Sequence, residues 1–132
     1  MLAQQTIKSK ERLKSRKMIE RLFKEGNIIH QYPFKVLYLF TEQESEFPAQ
    51  IAVSVSKRIY KRAVDRNQIK RKIRESYRKN KHTLYDDLKT SDTLLNIFII
   101  YTAKENLSYH HIDAGIKSLI EKISLLKKEV NG

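Results

Sequence analysis

Six stretches of the chain carry a hydrophobic period, and they predict an alternation of helices and strands. Residues 16–25 place Ile19, Leu22 and Phe23 on one side of a short helix, with Ser15 as its cap and Gly26 expected to end it in the left-handed C′ conformation. From Phe34 to Phe40 the period changes to two. Phe34, Val36, Tyr38 and Phe40 face one way and Lys35, Leu37 and Leu39 the other, the mark of a strand. A polar, acidic stretch, Thr41 to Pro48, leads to a second strand, Gln50 to Ser56, with Ile51, Val53 and Val55 on one face. That spacing predicts an antiparallel hairpin with a flexible tip, and a weaker strand signal lies at Asn27–His30. Ile69, Ile73, Ser76 and Tyr77 recur at three and four residues and predict a helix over 64–79, followed by a polar connection over 80–93. Residues 94–102, LLNIFIIYT, form the most apolar run, expected as a central strand buried on both faces. After a turn at 104–107, Ser108 caps an amphipathic helix over 109–127 through Ile112, Ile116, Leu119, Ile120, Ile123 and Leu126. The order is that of an α+β sandwich, one sheet covered by helices.

With 132 residues, 40% of them hydrophobic, the chain is expected to be one domain with a real core, its first 14 residues loosely held. It has no cysteine, which excludes disulfides and Cys-ligated zinc or iron–sulfur sites and fits a cytoplasmic protein. The start, MLAQQTIKSK, has no apolar signal region, and the longest wholly apolar run, Ile97 to Tyr101, is far too short to span a bilayer. No export or membrane anchoring is expected.

Charge sharpens this picture. The net charge is +12, and residues 57–81 hold twelve Lys or Arg against two acids, net +10. Residues 8–25 hold eight basic and three acidic residues, net +5, and the remainder is close to neutral. On the helix over 64–79, Arg66, Asn67, Lys70, Arg71, Arg74 and Arg78 occupy an arc of roughly 140° beside the apolar stripe. Lys72 and Lys79 fall outside it, in solvated positions. A merely solubilising face mixes signs. Here each i,i+4 step in Arg62, Arg66, Lys70, Arg74 sets like charge against like, costing ~0.2–0.5 kcal/mol per pair. The complement of such an arc is a polyanion, and with pI near 9.9 a nucleic acid is the expected one.

Other chemistry is weakly signalled. His110 and Asp113 are three apart on a helix, but His82 and His30 stand in unrelated segments, so no metal site is expected. Asp86, Asp87 and Asp92 fit a charge-balancing loop better than a Mg²⁺ site. Three glycines leave no phosphate-binding loop, and no nucleophile–base grouping has supporting spacing, so a self-sufficient enzyme is not expected.

The phrases RLKSRKMIERLFKEG (12–26), FKVLYLF (34–40) and IAVSVSKRIYKRAVDRNQIKRKIRESYR (51–78), followed by a strand and a C-terminal helix, resemble the bacterial ribonuclease P protein subunit along nearly its full length. The most specific elements are SVSKR (54–58) and AVDRNQIKRKIRE (63–75), which is similar to that family's Arg-Asn-Arg helix. The resemblance implies an αβββαβα two-layer sandwich, a mixed four-stranded sheet with a left-handed βαβ crossover. It also implies a role beside a catalytic RNA that removes the 5′ leader of precursor tRNA. Catalytic groups would lie in that RNA, none in this chain; Mg²⁺ would serve the RNA-based holoenzyme, with no cofactor on the protein alone. Partners would be ribonuclease P RNA and precursor tRNA, without membrane or obligatory protein partner.

Carried over by position, Lys57, Arg58, Arg62, Arg66, Asn67, Lys70, Arg71 and Arg74 would contact the catalytic RNA. Phe23 and Tyr38 would line a cleft for the leader, with Val53 and Val55 as its floor. Guanidinium forks suit phosphates and aromatic faces suit unpaired bases. Three positions depart from the family pattern: Gln68 replaces an arginine, Ile19 replaces an aromatic, and Tyr60 lengthens the loop before the helix. The alternatives are a ribosomal protein or RNA chaperone of the same architecture, and a protein-only nuclease using Asp86 and Asp87.

Overall fold

A computed structural model describes residues 9–42, 46–88 and 92–131. After a 3₁₀ turn at Ser9–Glu11 come α1 (Arg16–Glu25), β1 (Asn27–Gln31), β2 (Phe34–Glu42), β3 (Ala49–Val55), α2 (Ala63–Leu88), β4 (Thr93–Tyr101) and α3 (Tyr109–Asn131). The order αβββαβα is the one the resemblance implied, weak first strand included. The expected loose start at residues 1–8 and the hairpin tip at 43–45 lie outside the described residues.

Burial decides the sheet. Its spatial order is β1-β2-β4-β3, so the apolar β4 does lie in the interior, antiparallel to β2 and parallel to β3. The expected β2–β3 hairpin does not form. Six of the nine β4 residues are buried, and only a place between two strands satisfies its backbone while covering both of its faces. β4 therefore displaces β3 to the edge, and α2 becomes the crossover between the parallel pair.

The sheet has two unlike faces. Phe34, Val36, Ile51, Val55, Leu95, Ile97, Ile99 and Tyr101 turn to α2 and α3 and form the main core with Ile69, Ile73, Tyr77, Ile112, Ile116 and Ile120. The other face carries a smaller cluster built on Leu13, Leu22 and Leu37, with Leu39, Ala52, Phe98 and Ile100 only partly covered. A ten-residue helix is too short to roof four strands, so much of this face stays open.

Helix α2 runs to Leu88, nine residues beyond the expected end at 79. Tyr77, Lys81, Leu84 and Leu88 prolong the buried stripe, and Lys81 disguised the period. Its charge is met inside: Lys81 Nζ lies 3.0 and 2.9 Å from the Glu11 carboxylate oxygens, with side-chain exposures of 3% and 0%. Tyr85 donates to Glu11 Oε2 at 2.5 Å, and Tyr77 donates to the Tyr85 hydroxyl at 3.2 Å. Burial above all pushes both tyrosine hydroxyls far up from their ordinary pKa, so they stay protonated donors. Residues 9–14, expected to be loose, are thus fastened to the fold, and the Leu13 N–H donates to Ile51 O at 2.9 Å.

The caps at Ser15 and Ser108 form, with Ser15 Oγ accepting the Met18 N–H at 3.2 Å and Ser108 Oγ the His111 N–H at 3.5 Å. Gly26 is not left-handed as expected: φ −67° and ψ 153° carry it straight into β1. Glycine is needed there because a Cβ would lie 2.5 Å from Leu22 O.

Candidate nucleic-acid interface

The loop before α2 is built as a rigid support. Ser56 Oγ accepts the N–H groups of Arg58 (3.1 Å) and Ile59 (3.4 Å), a side-chain turn that leaves Lys57 and Arg58 exposed. Tyr60, expected to lengthen this loop, stacks at a tilt on Tyr101 and donates to Ala103 O at 2.8 Å, tying the loop to the end of β4. Burial raises the hydroxyl pKa of both tyrosines, that of Tyr101 to about 12. Arg66 Nη1 then donates to Tyr60 O (2.8 Å) and Lys61 O (2.9 Å), so one of the expected RNA contacts also braces its own loop.

The expected RNA-contacting residues lie in one continuous part of the chain. Lys57, Arg58, Arg62, Asn67, Arg71 and Arg74 are exposed, and Arg66 and Lys70 are half-buried, all on α2 or its entry loop. Arg62 is held by Asp65 at 3.0 and 3.1 Å, and that pairing depresses the Asp65 pKa. Arg66, Lys70, Arg71 and Arg74 meet no carboxylate among the described residues; Glu75 is taken by Arg78 and Lys79 on the helix flank. Two residues counted in the cationic run face elsewhere. Lys81 is buried, and Lys72, expected to be solvated, donates to Asn106 Oδ1 and Leu107 O at 2.9 Å each. Asn106 Nδ2 donates to Gln68 Oε1 at 2.9 Å, so Gln68 steadies the β4–α3 turn.

The expected leader residues do not meet. Phe23 is 61% exposed on α1 and sits edge-on to Phe98, centroids 5.4 Å apart. Tyr38 pairs in register with Ile97, Val53 with Ile99 and Val55 with Tyr101, all pointing into the opposite face under α2 and α3. The strand period of two forbids Leu37, which faces α1, and Tyr38 from sharing a face. Phe98 is the aromatic that completes the α1 face, and nothing in the sequence marked it apart from its neighbours in β4. Half-buried Ile19, Leu39, Ala52 and Ile100 extend the same apolar floor. Beyond them a cavity of about 540 Å³ opens between α1 and the sheet, with Ser15, Arg21, Thr41, Gln50 and Asn96 on its walls.

Asp86 and Asp87 lie in the last turn of α2 rather than in the expected loop, and His110 and His111 are exposed at the start of α3. No group of three metal-ligating side chains occurs among the described residues, nor any helix long and apolar enough to cross a membrane.

The model of the family Ribonuclease P matches residues 7–124. A ribonuclease P protein component from Porphyromonas gingivalis is 34% identical over 115 residues, 86% of this chain and 84% of that protein. One from Borrelia duttonii is 30% identical over 118 residues, 89% and 94% of the two chains. Among solved structures, the ribonuclease P proteins of Thermotoga maritima and Staphylococcus aureus share the fold at a TM-score of 0.65, each at 23% identity. They cover 85% and 86% of this chain and 96% and 94% of their own. With the fold, the cationic helix and the sequence in agreement, the chain belongs to the ribonuclease P protein family, the protein component of the endoribonuclease that matures tRNA 5′ ends.

Proposed function

We propose that Lys57, Arg58, Arg62, Arg66, Asn67, Lys70, Arg71 and Arg74 dock the chain on ribonuclease P RNA, and that Phe23 and Phe98 on the α1 face receive the single-stranded leader of precursor tRNA. The cleavage chemistry, metal-assisted attack of water on a phosphodiester, resides in the RNA with Mg²⁺, in the cytoplasm, and needs no further protein. The carrying observation is the arc at Arg66, Lys70, Arg71 and Arg74, which no carboxylate among the described residues quenches. A loop pinned by Ser56, Tyr60 and Arg66 presents these groups already ordered, which lowers the entropic cost of docking. On the other face, an exposed aromatic ring braced edge-on by a second offers sequence-tolerant stacking to an unpaired base.

The purified protein, added to a bacterial ribonuclease P RNA at low Mg²⁺, is expected to stimulate precursor-tRNA cleavage. Arg71→Ala is expected to weaken RNA binding and Phe23→Ala mainly leader affinity. A general RNA-binding module gives no stimulation, and a protein-only nuclease cleaves without added RNA.

A further inference from the structure

Two basic regions that are separate in sequence meet at the outer edge of β3. Arg12 bridges in parallel to Ile51, whose side chain faces the α2 layer, and this brings Arg12 beside Arg74 of α2. Between them lies a cavity of about 240 Å³ over residues 51–53, with Lys14 at its wall. Neither guanidinium has a carboxylate partner among the described residues. Partial desolvation first, and then the neighbouring Arg12, hold the Arg74 pKa below its ordinary value, which leaves Arg74 cationic at neutral pH.

Like charges do not gather unaided. The backbone bridge holds Arg12 in place, as do the burial of Leu13 at 5% exposure and the Glu11–Lys81 pair one residue before it. The edge also offers a neutral donor. Ile51 O accepts from Leu13, so the polar groups of residue 51 point outward, and strand alternation turns the Val53 N–H to the same edge, beside the cavity.

We propose that this cleft binds one phosphodiester group of RNA, gripped by the forks of Arg12 and Arg74, with Lys14 as a third charge and the Val53 N–H as a backbone donor. This rests on the RNA-binding reading above and deepens it: the N-terminal segment and α2 form one site rather than two surfaces. A phosphodiester of the catalytic RNA and one of the leader have the same chemistry, and the test separates them.

Arg12→Ala, Arg74→Ala, the double variant and Arg71→Ala as control are titrated against ribonuclease P RNA over a range of NaCl. Each assembled holoenzyme is then titrated with precursor tRNA and with leaderless tRNA. Arg12→Ala and Arg74→Ala are each expected to weaken one binding step roughly tenfold, the order of one lost charge-assisted contact. Each should also flatten the log K against log salt slope by about 0.7–0.9. The double variant is expected to lose less than the product of the singles, because both forks hold one phosphate. Loss in the first titration assigns the phosphate to the catalytic RNA; loss confined to leader-bearing substrate assigns it to the leader. Multiplicative losses, or Arg12→Ala within twofold of wild type in both titrations while Arg71→Ala is impaired, overturn the proposal and leave the interface on α2 standing. Silence of Arg71→Ala and Arg12→Ala together overturns both. Arg12→Ala relieves repulsion at an exposed site, so its melting temperature is expected to match or exceed wild type.

Discussion

Replacing Lys81 by Met tests whether a buried ion pair fastens the N-terminal segment to α2. The pair joins residues 70 apart in sequence, at N–O distances of 3.0 and 2.9 Å and exposures of 3% and 0%. Methionine keeps the length of the side chain and removes the charge, leaving the Glu11 carboxylate buried without its counter-ion. Breaking such a pair from one side costs ~3–5 kcal/mol. That is a large share of the 5–15 kcal/mol or so that holds a domain of this size together. With a urea m-value of about 2 kcal/mol/M, the unfolding midpoint at pH 7 is expected to fall by roughly 2 M. Two companion measurements separate the charge from the packing. The double variant Glu11→Leu with Lys81→Met removes both ions and is expected to recover most of the loss. Acidification neutralises the carboxylate that has lost its lysine, so the deficit of the single variant is expected to shrink as pH falls. A midpoint shift under about 0.5 M in Lys81→Met, on the same m-value, would refute the reasoning, as would a double variant no more stable than the single.

Three further outcomes follow from the packing. Leu22, 1% exposed, is the buried residue of α1, so Leu22→Ala is expected to cost ~2–5 kcal/mol in denaturant titration, whereas Phe23→Ala, at 61% exposure, costs far less stability yet lowers leader affinity. Gly115→Ala trades a gain of about 1 kcal/mol in helix propensity for a Cβ 2.9 Å from Pro33 Cδ and 3.0 Å from Tyr32 O; the clash wins by ~1–2 kcal/mol, and the melting temperature drops by several degrees. Desolvation pushes the Asp113 pKa up, but bonds from Ser76 (2.6 Å), Lys117 (3.1 Å) and Asn80 (3.0 Å) together bring it below the ordinary value. Its stabilising contribution is therefore complete above about pH 3.9 and fades as pH falls through the depressed folded pKa. Asp113→Asn is expected to be destabilised at pH 7, with the gap from wild type narrowing as pH falls below the ordinary carboxylate range; a gap constant with pH would show that charge plays no part.

What the sequence determined by itself is what local spacing encodes. A helical period put Ile69, Ile73 and Tyr77 inward and left Arg66, Lys70, Arg71 and Arg74 outward, because 100° per residue fixes both sides at once. The caps at Ser15 and Ser108 needed only a hydroxyl before an apolar run. The buried continuation through Leu84 and Leu88 was present in the pattern too, hidden by a lysine that makes sense only once Glu11 is beside it. Tertiary structure decided the remainder. Whether β3 pairs with β2 or with β4 depends on burial summed across the whole sheet, and no local period reports that sum. The leader face depended on the same choice: alternation says that Leu37 and Tyr38 point apart, but not which of them lies under α1, nor that Phe98 would stand opposite Phe23. Arg12 and Arg74 are separated by nearly half the length of the chain, and only a three-dimensional edge could set them side by side.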